Sequence, residues 1–325
     1  MATSLAGSNG DRQGLSAGTY ALLGVGLGVV AAVVLVSRST APPAPPPTAP
    51  PPTTIPPPTV PPPVIIPVPP PPVVIVPPAA PPPPPGTAWS GSFDSFPTAT
   101  WAGRWGALSQ AAWGLSFPRT AIDPGALEGP ALTVPYAAHS SAPSCTTCPD
   151  PRGAQFYTDL SKIGLASLQT AASLRLRYKV RFPVTFDWSR GGKLPGLYGG
   201  DVSASSGGTH GAGWSTRLMW RHGPAGEVYF YSPTATGYGA DLGLASWSFD
   251  ADGHWHTYEQ LVERSPQRVT MWKDNAQVFQ GGVPGTSGIP FAGIFFSTFF
   301  GGHDSTWGPA HDTSADFADF SLSAG

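Results

Sequence analysis

Leu174-Arg-Leu-Arg-Tyr-Lys-Val-Arg-Phe182 alternates apolar and charged residues over nine positions. Successive side chains of a β-strand point to opposite faces, so this alternation predicts a strand with one face in a core and the other in solvent. Less regular strand-like runs, separated by clusters of Gly, Pro, Asp and Ser, are residues 214–221, 227–231, 256–263, 268–272, 294–300 and 317–322. The one helical signal is a turn near residues 159–168. The pattern predicts an all-β fold, a jelly-roll β-sandwich of two antiparallel sheets.

The composition changes sharply along the chain. Its 325 residues include 17 Lys and Arg and 19 Asp and Glu, a charged share of 11%, which is less than half of the usual figure of about 25%. Of the 42 prolines, 26 lie between residues 42 and 85, and residues 39–93 carry no charge. These shifts predict a short tail (1–16), an apolar segment (17–37), a proline-rich linker (38–86) and a β domain (87–325).

The apolar segment 17–37 is long enough to cross a bilayer, since about 20 apolar residues span the hydrocarbon core. A cleavable signal peptide is the alternative, but that would have a more basic start, a shorter apolar core and a clear cleavage site. We therefore expect a retained transmembrane anchor. The short tail and the long C-terminal body predict that the β domain lies outside the cytoplasm or on a virion surface.

The proline-rich linker predicts a polyproline II rod, because proline fixes φ and lacks the N–H that a helix or sheet ladder needs. Such a rod acts as a semi-rigid spacer. Binding to SH3- or WW-type domains is the alternative function.

The β domain shows no sign of nucleic-acid or metal binding. Its 15 basic and 18 acidic residues are interspersed, whereas a nucleic-acid binder would carry a basic stripe. The two cysteines, Cys145 and Cys148, lack the further ligands of a zinc site and the βαβ context of a redox pair, so a loop disulfide is favoured. The seven histidines show no metal-ligand spacing. We expect no cofactor and no metal.

Three segments place reactive side chains on one predicted surface. Lys193, one of only four lysines, lies in the glycine-rich stretch 191–200. In the run 214–220, the strand period puts Ser215 and Arg217 on one face, and in the run 227–231 it puts Tyr229 and Tyr231 on one face. If residue 221 pairs with residue 227 across a turn at 222–226, then Arg217 lies opposite Tyr231, and these side chains share a face of the hairpin.

This set of side chains suits β-elimination on a uronic acid. The reaction removes the C5 proton, so a cation must neutralise the carboxylate beside the developing charge, a role for Arg217 or Lys193. A base must take the proton and an acid must protonate the leaving oxygen, roles open to Lys193, Tyr229 and Tyr231. Ser215 would orient substrate or tyrosine. The alternative is that the tyrosines are packing residues and Arg217 is a solvated surface charge.

The same segments resemble polysaccharide lyase family 14. The stretches FDWSRGGKLPGLYGG (186–200) and WSTRLMWR (214–221) carry the resemblance. It continues through GAQFY (153–157), GEVYFY (226–231), FSTFFGG (296–302), WGP (307–309) and FADF (317–320). It spans roughly residue 89 to the C-terminus and leaves out the anchor and the linker.

The resemblance implies a β-jelly roll that binds an anionic polysaccharide of the alginate or glucuronan type. It also implies that the active-site residues are Lys193, Ser215, Arg217, Tyr229 and Tyr231. A non-catalytic glycan-binding module and a glycosidase remain as alternatives. The glycosidase would need two facing carboxylates, and no paired acidic motif stands on the predicted face.

Overall fold

The computed structural model describes residues 86–325, apart from residues 124, 127, 128 and 209. The predicted tail, transmembrane anchor and most of the linker lie outside the described residues. Within the described part of the chain, no helix is both long and apolar enough to span a bilayer.

Fifteen strands make up most of the described chain, with one short α-helix, α1 (Ala99–Arg104). The strands are β1 (Thr87–Gly91), β2 (Ala107–Trp113), β3 (Arg119–Ala121), β4 (Ala131–Tyr136), β5 (Ala154–Thr158), β6 (Ser173–Arg181), β7 (Gly191–Gly200), β8 (Gly213–Arg221), β9 (Ala225–Tyr231), β10 (Ala240–Ser248), β11 (His256–Arg264), β12 (Gln267–Lys273), β13 (Ala276–Gly282), β14 (Phe291–Phe300) and β15 (Thr313–Ala324). Short 3-10 helices lie at Ala166–Thr170, Val202–Ala204 and Ser305–Trp307.

The strands form two antiparallel sheets that enclose one core. The eight-stranded sheet has the order β13-β12-β11-β6-β15-β4-β3, with β1 paired to β15, and the seven-stranded sheet has the order β10-β9-β8-β7-β14-β5-β2. The inward side chains of β6 are buried, while its alternate residues are the basic ones of the opening motif. The all-β fold of two antiparallel sheets is therefore confirmed.

Glycines let the central strands of the seven-stranded sheet pack closely. A Cβ on Gly192 would lie 2.1 Å from a ring carbon of Trp220, and one on Gly196 would lie 2.3 Å from the Thr216 carbonyl oxygen. Both distances are far below contact distance, so only glycine fits. The glycine-rich sequence around Lys193 thus allows β7 to carry a lysine beside β8 in the middle of the sheet.

The pairing of β8 with β9 differs from the predicted register by two residues. Ser215 lies opposite Tyr231 and Arg217 opposite Tyr229, because the turn is shorter than expected and β9 already begins at Ala225. Gly223 adopts a φ of 69° in that turn, which a glycine accepts at no steric cost. A shift of two residues keeps every side chain on its predicted face, whereas a shift of one would have separated them.

Candidate active site

The five predicted site residues lie on β7, β8 and β9, and four of them line one cavity. The cavity has a volume of about 590 Å³ and opens on the face of the seven-stranded sheet that is turned away from the core. The four lining residues are Lys193, Arg217, Tyr229 and Tyr231. The strand period and the sheet pairing bring these side chains together, as the sequence predicted.

Lys193 is a buried lysine that forms no salt bridge with any carboxylate in the described part of the chain. Its Nζ donates to the Met219 Sδ at 2.8 Å and lies 3.9 Å from the centre of the Tyr229 ring. Only 8% of the residue is exposed. Burial, and then the nearby charges of Arg217 and Arg221, hold the pKa of Lys193 well below its usual value. A lysine in these surroundings can act as a neutral amine.

Arg217 presents a buried guanidinium to the same cavity. It lies 4.2 Å from the centre of the Phe295 ring and donates to the Ser297 Oγ at 3.4 Å. Among the described residues, none forms a salt bridge with Arg217, and its Nε has no hydrogen-bond partner. Burial lowers the pKa of Arg217, but an arginine stays protonated in proteins. The side chain therefore offers an uncompensated positive charge to an anion in the cavity.

Both tyrosines keep their protons at neutral pH. Burial raises the pKa of Tyr229, whose hydroxyl accepts a hydrogen bond from the Gly239 backbone N–H at 3.0 Å. Burial also raises the pKa of Tyr231. Within the described chain, the Tyr231 hydroxyl makes no hydrogen bond of normal geometry, although the nearby Gly208 backbone amide acts against that increase. Phenols in this state are proton donors.

Ser215 has a different place from the other four residues. It is fully buried, and its hydroxyl donates to the Ser205 carbonyl oxygen at 2.8 Å. The Ser205 hydroxyl is in turn 3.2 Å from the Tyr157 hydroxyl. Ser215 therefore ties the segment after β7 to the sheet and does not itself line the cavity.

The structure adds residues that the sequence reasoning did not place in the site. Arg221, Gln155, Tyr238, His303 and Trp307 also line the cavity. Glu227 lies on the same face beneath them and is fully buried. The strand period could have revealed Glu227, because Glu227 lies two residues before Tyr229 and therefore on the same face as Tyr229 and Tyr231. Trp307 and His303 come from a loop that is distant in sequence, and no local sequence pattern predicts that they line the cavity.

One wall of the cavity comes from the loop that holds the cysteines. Cys145 and Cys148 form a disulfide, so the predicted pairing is confirmed. Residues 142–144, just before it, line the cavity. The Arg152 guanidinium donates to the Cys145 carbonyl oxygen at 2.5 Å, which fixes the loop from its other end.

The cavity has the charges for binding an acidic sugar and lacks those for hydrolysis. No carboxylate is among the described residues that line it, whereas a glycosidase needs two. The described residues also include no group of three or more metal-ligating side chains. The lining can therefore hold a carboxylate on Arg217, accept a proton on Lys193 and donate one from a tyrosine.

Comparisons with known proteins point the same way. A family model for polysaccharide lyase 14 matches residues 125–320. The marine PL-14 alginate lyase from Aplysia kurodai is 26% identical over 74% of this chain and 99% of its own, with a TM-score of 0.60. Alginate lyase Aly36B is 21% identical over 73% of this chain and 97% of its own, with a TM-score of 0.53.

A variant of Aly36B in complex with an alginate tetrasaccharide is also similar, at 21% identity over 66% of this chain and 86% of its own, with a TM-score of 0.51. At this identity the Aly36B structures support the fold alone. No protein with a curated description matches the chain.

Proposed function

We propose that this protein, which belongs to polysaccharide lyase family 14 and is a polysaccharide lyase, cleaves a uronate polymer by β-elimination. The observation that carries the proposal is the pair of buried basic side chains, Lys193 and Arg217, which face one cavity and form no ion pair with a described residue. Burying a charge without a partner is costly. Arg217 keeps its charge and is suited to an anionic ligand that supplies the missing partner, whereas Lys193 avoids the cost by losing its proton.

In the proposed reaction, Arg217 binds the carboxylate of the sugar whose C5 proton is removed. The Lys193 amine takes that proton, the electron pair of the C–H bond forms the C4–C5 double bond, and the bond from C4 to the glycosidic oxygen breaks. The leaving oxygen takes a proton from Tyr231. Positive charge beside the carboxylate lowers the barrier, because negative charge builds there as the proton leaves.

The pKa directions favour Lys193 over the tyrosines as the base. A base must be unprotonated at the working pH, and the pKa of Lys193 is lowered while those of Tyr229 and Tyr231 are raised. Tyr231, which lines the cavity and whose hydroxyl makes no hydrogen bond of normal geometry within the described chain, is the proposed acid. The centre of the Tyr229 ring lies 3.9 Å from the Lys193 Nζ and 5.9 Å from the Arg217 Cζ, so Tyr229 contacts the proposed base.

The proposed substrate is an anionic polysaccharide of the alginate or glucuronan class. The match to the alginate lyase of Aplysia kurodai covers 99% of that chain. The Aly36B variant is in complex with an alginate tetrasaccharide. The positive lining of the cavity supports a polyuronate in general, and both polymers present a carboxylate on the sugar that loses its proton.

The test incubates the full chain with alginate and with glucuronan and follows the ultraviolet absorbance of the unsaturated product. Polymer whose carboxylates have been reduced to alcohols serves as the matched control. We expect product from at least one parent polymer and none from the reduced polymer or from Lys193→Met. Binding without any unsaturated product would instead support a glycan-binding module.

We also propose that residues 17–37 anchor the protein in a membrane, with the β domain outside the cytoplasm or on a virion surface. The uncharged length of the segment supports this, as does the disulfide, since disulfides persist mainly in oxidising compartments. Mass spectrometry of the mature N-terminus tests it. A chain that begins after residue 38 would refute the anchor.

A further inference from the structure

Glu227 is a buried carboxylate in the same row as the proposed base. Lys193, Met219 and Glu227 are direct neighbours across the three adjacent strands β7, β8 and β9. The Met219 Sδ is 2.8 Å from the Lys193 Nζ. Glu227 is 0% exposed, and it plays no part in the proton transfers described above. A fully buried carboxylate at this position needs a physical reason.

The charged and titratable groups near Glu227 lie on β7, β8 and β10. Arg221 on β8 forms an ion pair with it, with 2.8 Å between Nε and Oε1, and also pairs with Asp241 on β10. Lys193 on β7 supplies the third charge. Arg221 itself lines the cavity. Glu227 therefore pairs with a cation that a substrate in the cavity would also contact.

We propose that Glu227 is a positioning residue that holds Arg221 in the cavity wall and sets the pH at which Lys193 loses its proton. The proposal rests on the proposed function for its effect on catalysis, but its electrostatic part is independent of catalysis. Within this cluster, Arg217 and Arg221 favour the neutral amine of Lys193, whereas Glu227 and Asp241 favour the ammonium.

The balance between these charges matters, because Lys193 could not act as the base if its pKa were either too low or too high. Without any negative charge nearby, a lysine between two arginines would hold its proton too weakly to remove one from carbon. With a fully exposed carboxylate in contact, it would remain an ammonium at neutral pH. Burial raises the pKa of Glu227 to about 7, so its charge is itself adjustable near neutral pH. Ionisation of Glu227 therefore favours the ammonium form of Lys193, and its protonation favours the neutral amine.

Glu227→Gln keeps the shape of the side chain and removes its charge. Loss of the negative charge favours the neutral amine, so the pKa of Lys193 must fall. The acid limb of the kcat/KM profile should then move to lower pH, by about 0.5–1 unit. A purely structural role would lower activity at every pH without moving the limb.

A second readout does not depend on activity. The chain has only four lysines, so carbon-13 labelling of lysine allows the Lys193 side chain to be followed by NMR as the pH changes, with Lys193→Arg assigning its signal. We expect its titration midpoint to be lower in Glu227→Gln than in the parent. Glu263→Gln is the matched control, because Glu263 pairs with Arg268 on the other sheet, with 2.6 Å between Oε2 and Nε, and it should leave the midpoint unchanged.

The outcomes separate the two proposals. An unchanged Lys193 midpoint in folded Glu227→Gln would overturn the role of Glu227, whatever the activity. A lower midpoint with an unshifted activity profile would support that role and contradict Lys193 as the base. If Glu227→Gln does not fold, Asp241→Asn removes the more exposed partner of Arg221 and should shift the midpoint in the same direction by less. No shift there would overturn the proposal.

Discussion

Both sheets carry basic side chains on their outer faces, but these side chains differ in whether they have carboxylate partners. On the eight-stranded sheet, every outward basic residue of β6 has a carboxylate partner: Arg175 and Arg177 with Glu259, Lys179 with Asp319, and Arg181 with Asp123 and Asp316. On the seven-stranded sheet, Lys193 and Arg217 are buried, as Lys179 is. Yet neither of them forms a salt bridge within the described part of the chain.

This difference separates structural charges from functional ones. A buried ion pair recovers part of the desolvation cost through the attraction of its partners. The basic side chains of β6 are therefore stabilised within the fold, without a ligand. The guanidinium of Arg217 has no such compensation from a described residue, and an anionic ligand in the cavity would supply it. Burial alone would therefore not identify the site, whereas burial without an ion-pair partner does.

The largest expected effect follows from Lys193→Met, which removes the proposed base and keeps a side chain of similar length. The rate of product formation should fall by about 10³- to 10⁴-fold. The melting temperature should stay the same or rise, because the variant removes a buried amine that has no carboxylate partner among the described residues. Initial rates on a polyuronate and thermal melts check both halves. A large loss of stability would contradict the distinction between the two faces.

Lys179→Met should show the reverse pattern on the other sheet. Lys179 and Asp319 approach to 2.6 Å with both side chains nearly inaccessible, and removing one partner of a buried pair costs about 3–5 kcal/mol. Chemical denaturation should report this loss of unfolding free energy. The rate per folded molecule should equal that of the parent, and a specific loss of turnover would show that this face also takes part in catalysis.

Arg217→Lys tests whether the cavity needs a guanidinium or only a positive charge. An ammonium cannot form the paired hydrogen bonds of a guanidinium with a carboxylate. We expect kcat/KM to fall by about 10²-fold, while the far-ultraviolet circular dichroism spectrum stays that of the parent. A variant with parental kcat/KM would mean that Arg217 acts only through its charge.

The smallest effect concerns His256, at one end of β11 in the eight-stranded sheet. The hydrogen bond that the His256 Nδ1–H donates to the Asp274 Oδ2, at 2.7 Å, raises the pKa of His256 above its usual value of 6.5. The histidinium therefore stabilises the fold below pH 6.5, and this contribution disappears as the pH rises through the raised value. The contribution should be about 1 kcal/mol or less.

To check this, melting temperatures of the parent and of His256→Gln are compared across this pH range. Their difference should shrink as the pH rises. A difference that grows with pH would contradict the assigned ion pairs of His256.

Much of this arrangement was predictable because strand alternation is a local property. The alternation in β6 identified the buried and the charged face of its sheet, and the same period placed Arg217 with Tyr229 and Tyr231. The scarcity of lysine and the glycine-rich stretch around Lys193 added that residue from a separate strand, and the resemblance to a family implied the same set.

The features that were missed depend on contacts that are distant in sequence or on the length of one turn. The register of β8 and β9 was wrong by two residues, since the short turn at Gly223 could not be distinguished from a longer one. The cavity wall at residues 142–144 and the ring of Trp307 reach the site only through folding. The strands β10 and β13 were not predicted, because their residues are largely exposed and do not alternate.

In the proposed reaction the unpaired guanidinium of Arg217 binds the substrate carboxylate. The most direct measurement is a crystal structure of Lys193→Met with a bound uronate tetrasaccharide. We expect one sugar carboxylate within hydrogen-bond distance of the Arg217 guanidinium, about 2.7–2.9 Å, with the C5 of that sugar facing residue 193. A carboxylate bound instead to the basic side chains of β6, or a sugar in the cavity with no carboxylate near Arg217, would contradict the proposed role of Arg217.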